Sequence, residues 1–469
     1  MLLIVHSARE GAECSNPRQL RPRACPRRMA SKGKLALKRR YERAASIAPF
    51  YTGGPVVVSR DGSRIACKCG GDVKLLDAAS GEIVATIPAD AEDITALALS
   101  PSGQELVTAG RDMMVKTWDI ATQKKIRAWK SGHGNSFVQQ LAYDDTGTLV
   151  AGGCSDAVVR VWDAARGFAT HSLSGHGAII TCLAFGPTPR ADPNKLQLFS
   201  GAEDGEVRVW ALATKSCKAV LNGHDSAVTA LALHLGTKTL LTGGRDRVVG
   251  VWDLDTMSSA HSLPIYDVIE GLAIVEPAAD SVSQGKGAAQ KKKKGKDAQM
   301  GGGGPRRLER ASLEVVTAGA NGQLKRWCVG TGSCTRSEES RAGAVGYVSL
   351  LSADSQAGAA HGHGHGLLVA VTIEQTLLFF RPDTLEIEKQ MVGYNDEVVD
   401  IAFASAEPRV LAVCTNSDHL RLFDTTSQSC RVLHGHTVSA PRAALLLVRP
   451  RPRVECSRHH DAQAGGGVR

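Results

Sequence analysis

The stretch GHDSAVTALALHLGTKTLLTGGRDRVVGVWDLDTMSSAHSL, Gly223 to Leu263, decides the fold. It holds four short runs, AVTALAL, TKTLLTGG, VVGVWD and SSAHSL, each alternating or fully apolar and separated by turn-forming residues. Runs of this length and pattern are strands, and no helical period crosses them. A four-stranded sheet this small cannot bury both faces alone. It needs like sheets stacked against it.

Working outward from this unit, the same grammar recurs between residues 56 and 433. VKTWD ends at Asp119, VRVWD at Asp163, VRVWA at Ala211, VGVWD at Asp253 and LKRWC at Cys328. Weaker copies are VKLLD with Leu76 and Asp77, TLLFFR with Phe380 and Arg381, and LRLFD with Phe423 and Asp424. Most spacings between these aromatic or leucine positions run from 42 to 48 residues, the length of one propeller blade. The longer gaps contain a Lys/Gly-rich run at 276–312 and a Gly/His stretch near 361–366. The expected fold is all-β: a WD40-type β-propeller of about seven blades, with the start of a second propeller. Whether the first ring takes seven blades or eight is open in the sequence, with seven preferred.

Each strong unit carries the same polar set. Asp112, Asp156, Asp204 and Asp246 lie six residues before Trp118, Trp162, Trp210 and Trp252. Thr108, Ser200 and Thr242 lie four residues before their Asp, and His176, His224 and His133 open units. A Trp–Ser/Thr–His–Asp chain satisfies a buried indole N–H and fixes the turn carboxylate. Ser200, His176 and Asp204 also resemble a hydrolase triad. A catalytic site is unique, however, whereas this set repeats, and no glycine-elbow nucleophile motif accompanies it. The set is therefore read as a blade network, with no catalytic, cofactor-binding or metal residues assigned. Gly152 at the hydroxyl position makes the network of the third unit incomplete. The first, seventh and eighth units should be irregular.

Charge separates the folded part from its flanks. The net charge is +9, but residues 1–49 alone carry +9, residues 286–310 +7 and residues 437–469 +4, leaving −11 for the rest. An enzyme with a basic substrate channel would show the reverse. Most of the 12 cysteines fall in strands without disulfide or zinc spacing. The C-x-C pair Cys67 and Cys69 is read as core packing. His361, His363 and His365 alternate with glycine and are read as a biased loop. No apolar run approaches membrane-span length.

The chain divides into a disordered extension (1–31), a basic arm (32–55) and a first propeller (56–392) interrupted by a disordered basic insertion (276–312). A further blade (393–436) starts a second propeller or closes the first, and a disordered tail (437–469) follows. Regular patterning begins near Met29, so the preceding residues are expected to be an upstream extension. After CRVLHGHT the anticipated next blade gives way to a proline-rich stretch, read as truncation. Lys291, Lys292, Lys293, Lys294 and Lys296 form a candidate import or RNA-contact run.

Several stretches go beyond generic repeats: RRYERAASIAPFYTGGPV (Arg39 to Val56), EDITALALSP ending at Pro101, FSGAEDGEVRVW (Phe199 to Trp210), GYNDEVVDIAF (Gly393 to Phe403) and SQSCRVLHGHT (Ser427 to Thr437). In these the chain closely resembles the transducin beta-like protein 3 family, the U3 small nucleolar RNA-associated WD-repeat proteins of the small-subunit processome. The resemblance covers about residues 34–437. It implies a nucleolar, nuclear scaffold in pre-18S ribosomal RNA processing, without cofactor, membrane or small-molecule substrate. The implied partners are other WD-repeat proteins of the processome, the U3 ribonucleoprotein and pre-rRNA. Family members carry two propellers and then a helical domain, which this chain departs from.

Overall fold

The computed structural model describes residues 2–4, 43–46, 49–89, 93–132, 136–186, 196–234, 236–275, 313–339, 346–352, 367–393, 398–403, 410–415, 420–424 and 430–433. His133, the Gly/His stretch, the insertion 276–312 with its lysine run, and the tail 437–469 lie outside the described residues. No helix among the described residues is long and apolar enough to cross a membrane.

The chain divides into two compact units, 1–49 and 50–469. In the first, Leu2–Ile4 pairs antiparallel with Arg43–Ser46. An apolar tripeptide can satisfy its backbone by adding to a second extended segment.

Among its described residues the second unit holds eight four-stranded antiparallel sheets, each built from strands consecutive in sequence. We number them blade 1 (56–87), blade 2 (94–130), blade 3 (138–174), blade 4 (180–222), blade 5 (228–264), blade 6 (269–339), blade 7 (347–392) and an eighth sheet (398–433). The first strand of each blade is innermost and the fourth is the outer edge. Innermost strands meet their neighbours in succession, and that of blade 7 returns to that of blade 1. The ring therefore closes at seven. The outermost strand of the eighth sheet, Cys430–Leu433, lies beside that of blade 7, Ile387–Val392.

The core sits between blades. Seven apolar clusters fill the seven junctions, each drawn from two adjacent blades. The repeat aromatic always packs toward the preceding blade: Trp118 joins blade 1, Trp162 blade 2, Trp210 blade 3, Trp252 blade 4 and Trp327 blade 5. Phe380 fills this place between blades 6 and 7. Leu76 fills it between blades 7 and 1. Of the three units expected to be irregular, the first and the seventh therefore keep the ring geometry with smaller apolar residues. Each fully buried side chain of this kind contributes roughly 1.5–3 kcal/mol, and its cluster includes residues of the neighbouring blade. A blade is stable only in the ring.

Closure also uses main chain. The amides of Phe50 and Tyr51 both donate to the carbonyl of Gly393, at 3.0 and 3.3 Å. A Cβ at Gly393 would stand 2.5 Å from the Tyr51 Cβ, so only glycine permits this approach. Two of the distinctive stretches, APFYTGG and GYNDEV, meet here.

Candidate functional site

In blades 4 and 5 the polar residues gather where the loop into the innermost strand meets the turn between the second and third strands. In blade 5 the Trp252 indole N–H donates to the Thr242 hydroxyl at 2.9 Å, which donates to His224 Nε2 at 2.7 Å. The His224 Nδ1–H donates to Asp246 at 2.9 Å. Blade 4 repeats this: Trp210 to Ser200 at 2.8 Å, Ser200 to His176 at 2.7 Å, His176 to Asp204 at 3.3 Å. Placing the imidazole proton on Nδ1 satisfies every group along the chain. Burial holds His176 below the ordinary histidine range, outweighing the neighbouring Asp204. Burial pushes the other way on Asp204, but the amides of Glu206 and Gly177 and the His176 ring overcome it and keep its carboxyl below the usual carboxylate range.

The aspartate has a local task as well. Asp112, Asp156, Asp204 and Asp246 each accept from the amide two residues on, at 3.1, 3.3, 2.9 and 3.3 Å. The residue between is left-handed in each turn: Met113, Ala157, Gly205 and Arg247. Such a hairpin is strained for a non-glycine residue, and an aspartate hydrogen-bonding its own turn offsets that cost.

Blades 2 and 3 hold the aspartate differently. Trp118 donates to Thr108 at 3.0 Å, but Asp112 is held by Lys116 Nζ at 2.8 Å. In blade 3, Arg160 grips Asp156 with two guanidinium contacts at 3.0 and 2.6 Å. Sequence reasoning missed these cations, although the signal was there, two residues before the tryptophan and four after the aspartate. In blade 5 that position is Gly250, where a Cβ would press on Thr242 Oγ1 at 2.7 Å. Blade 3 carries Gly152 at the hydroxyl position. The Trp162 ring covers that glycine, 2.6 Å from where a Cβ would stand. Blade 6 substitutes Asp267 and Asn321, whose amide donates at 2.8 Å.

A further set of contacts carries no motif at all. On the outermost strand, the residue paired with the position just before the repeat aromatic reaches the next blade. Arg127 donates to the Arg166 carbonyl at 3.2 Å, His171 to Leu212 at 2.9 Å, His261 to Val329 at 2.7 Å and Lys389 to Ala79 at 2.8 Å. Residue identity varies, so the sequence hides what the register reveals.

The site offers little to a ligand. His176, Asp204 and Glu206 place ligand atoms within 4.8 Å of one another, but both nitrogens of His176 are engaged and Arg208 holds Glu206 at 2.7 Å. Ser200 and Thr242 are fully buried. Cys67 is core-packed, and burial raises its thiol pKa.

Repeated four-stranded blades, closed as a ring and in blades 2 to 5 keyed by a tryptophan and a turn aspartate, define a WD-repeat β-propeller protein. The WD domain, G-beta repeat model matches residues 81–119, 123–163, 167–211 and 215–253. Transducin beta-like protein 3 of Bos taurus is 34% identical over 403 residues, 85% of this chain and 46% of that protein. The Homo sapiens protein of the same name is 33% identical over 401 residues, covering 85% and 45%. U3 small nucleolar RNA-associated protein 13 of Saccharomyces cerevisiae is 33% identical over 156 residues, 32% of this chain and 19% of its own. The chain belongs to the transducin beta-like protein 3 family. It spans about half the length of these curated relatives.

Proposed function

We propose that this chain is a non-catalytic scaffold of the U3 ribonucleoprotein and small-subunit processome, acting in the nucleolus in pre-18S rRNA processing. The observation that carries this reading is the likeness over 85% of the chain to transducin beta-like protein 3, joined by the likeness of part of it to a yeast protein named for U3 association. The chemistry agrees. Among the described residues the Ser200–His176–Asp204 set and the Thr242–His224–Asp246 set are each spent inside a blade, with the hydroxyl buried and bonded to a tryptophan. A nucleophile must reach its substrate. What the ring presents instead is loops and outer edges, the surfaces on which propellers dock partners.

Within this reading the eighth sheet is the first blade of a second propeller, and the run Lys291–Lys294 with Lys296 serves import or touches RNA phosphates. Other WD-repeat proteins are the expected neighbours. Tagged protein expressed in cells and sedimented on a sucrose gradient should travel with large pre-ribosomal particles and co-purify U3 RNA. Sedimentation as a free monomer without that RNA would remove the ribosomal role and leave a WD-repeat adaptor of another pathway.

A further inference from the structure

The outermost strand of blade 2, Lys124–Lys130, reads KKIRAWK. It carries four cations, Lys124, Lys125, Arg127 and Lys130, and no acid. Other outer strands differ. IVATI, ATHSLS and SSAHSLP carry no Lys, Arg, Asp or Glu. SCKAVLN and CRVL carry one cation each, IEKQMV one of each sign, and SCTRSEE pairs Arg336 with Glu338 at 3.5 Å. Edge lysines commonly protect a sheet from unwanted pairing. That need applies equally to every blade, so it does not account for charge concentrated on one.

The four cations are also unneutralised. Among the described residues no carboxylate lies within ion-pair distance of any of them. Arg127 gives one N–H to the Arg166 carbonyl, which leaves its charge in place. Lys124, Lys125 and Lys130 are solvent-exposed, and Ile126, bulged out between Lys125 and Arg127, is 51% exposed. The strand is the last in its sheet, paired only on its inner side. Outside the three basic segments the chain carries −11. This edge is a cationic stripe on an acidic body.

We infer that this edge is a docking site for an extended acidic peptide segment of a partner protein, which adds as a fifth strand to blade 2. An open strand supplies main-chain donors and acceptors, the lysines fix charge, and Ile126 offers an apolar contact. Single-stranded RNA fits less well because it needs exposed aromatic platforms. The aromatic of this strand, Trp129, is half-buried, with its ring centroid 6.4 Å from that of Trp162.

The test uses the full chain and a fluorescein-labelled peptide of alternating glutamate and valine, followed by anisotropy. Binding is expected, weakening with added salt. The triple variant K124E/K125E/K130E should bind at least about tenfold more weakly, with an unchanged circular dichroism spectrum and melting temperature. A peptide N-methylated at alternate residues keeps its charge but cannot pair as a strand, and it should also lose affinity. Absence of peptide binding, or equal binding by the triple variant, overturns the proposal. Equal binding of the N-methylated peptide overturns strand addition. Tighter, K124E/K125E/K130E-sensitive binding of a single-stranded RNA oligonucleotide assigns the edge to RNA instead and overturns it as well.

Discussion

Lys389 of blade 7 donates to the carbonyl of Ala79 in blade 1 at 2.8 Å, joining residues 310 positions apart. The same register position supplies Arg127, His171 and His261 at three other junctions. Ring closure is therefore one more copy of the interblade brace. Removing the brace at the closing junction should cost more than its local contacts suggest, because every blade depends on both neighbours. Lys389→Met is expected to lower the unfolding free energy in urea by about 1–2 kcal/mol, the scale of a charge-assisted hydrogen bond at a half-buried site. Lys389→Arg should recover most of it. An unchanged midpoint for Lys389→Met would mean that apolar packing alone closes the ring.

The Ser200 hydroxyl serves two buried partners at once, Trp210 and His176. Ser200→Ala leaves an indole donor and an imidazole acceptor unpaired where no water reaches. The expected loss is about 2–3 kcal/mol, because orphaned buried groups cost more than the bond they lose. Ser200→Thr restores the hydroxyl, as Thr242 does in blade 5, and should stay within about 1 kcal/mol of the parent. Equal losses for the two would show that volume, and not hydrogen bonding, sets the cost.

How much of this was legible in the sequence follows from how local each feature is. The blade repeat, the Trp–hydroxyl offset and the turn aspartate lie within about ten residues of one another, so spacing alone exposes them. The hold of Lys116 on Asp112 was equally local, yet reading the histidine as the general partner concealed it. Closure through Gly393 and Tyr51 joins distant segments, and only their distinctiveness hinted at it. The interblade braces were not readable, because Arg, His and Lys share a geometric position and a donor but no residue type.

Acid should weaken the ring through the histidine network. Burial holds the folded-state pKa of His176 below the ordinary histidine range, so the unfolded chain takes up that proton first. The stability this provides is present above about pH 6.5 and drains away as pH falls below it. Asp204, held low by the Glu206 and Gly177 amides against the opposing effect of burial, adds a second loss only at much lower pH, as pH falls through the ordinary carboxylate range and below. Urea midpoints at about pH 7.5 and 5.5 should differ, and His176→Gln should shrink the difference. A wild-type midpoint that rises toward pH 5.5 would reverse the sign assigned to His176.

Completing the missing network in blade 3 should harm the protein. Gly152 stands where other blades carry a hydroxyl, but the Trp162 ring occupies that space, 2.6 Å from a built Cβ. The ring would have to move from its place against Trp129 and Val150. Gly152→Ser is expected to destabilise by about 1–3 kcal/mol, the range for overpacking a filled core. Calorimetry of the variant with Thr108→Ala as comparison separates the two effects. A stabilised Gly152→Ser would show that Trp162 can shift to accept the hydroxyl.

Leu272 in blade 6 and Ile401 in the eighth sheet hold the same register place, the second paired residue after the bulge of their innermost strands. Leu272 is 7% exposed against the blade 5 junction, whereas Ile401 is 51% exposed and Phe403 beside it 44%. Burial at this place comes from a neighbouring sheet, and the eighth sheet presents it uncovered. Leu272→Asp puts a charge into an apolar junction and should prevent the ring from folding. Ile401→Asp should change stability by no more than about 0.5 kcal/mol and should raise solubility by breaking an exposed apolar patch. The comparison is read by soluble yield and urea denaturation of the two purified chains. A loss at Ile401 as large as that at Leu272 would mean that this face is covered in solution and that the eighth sheet is packed against something it depends on.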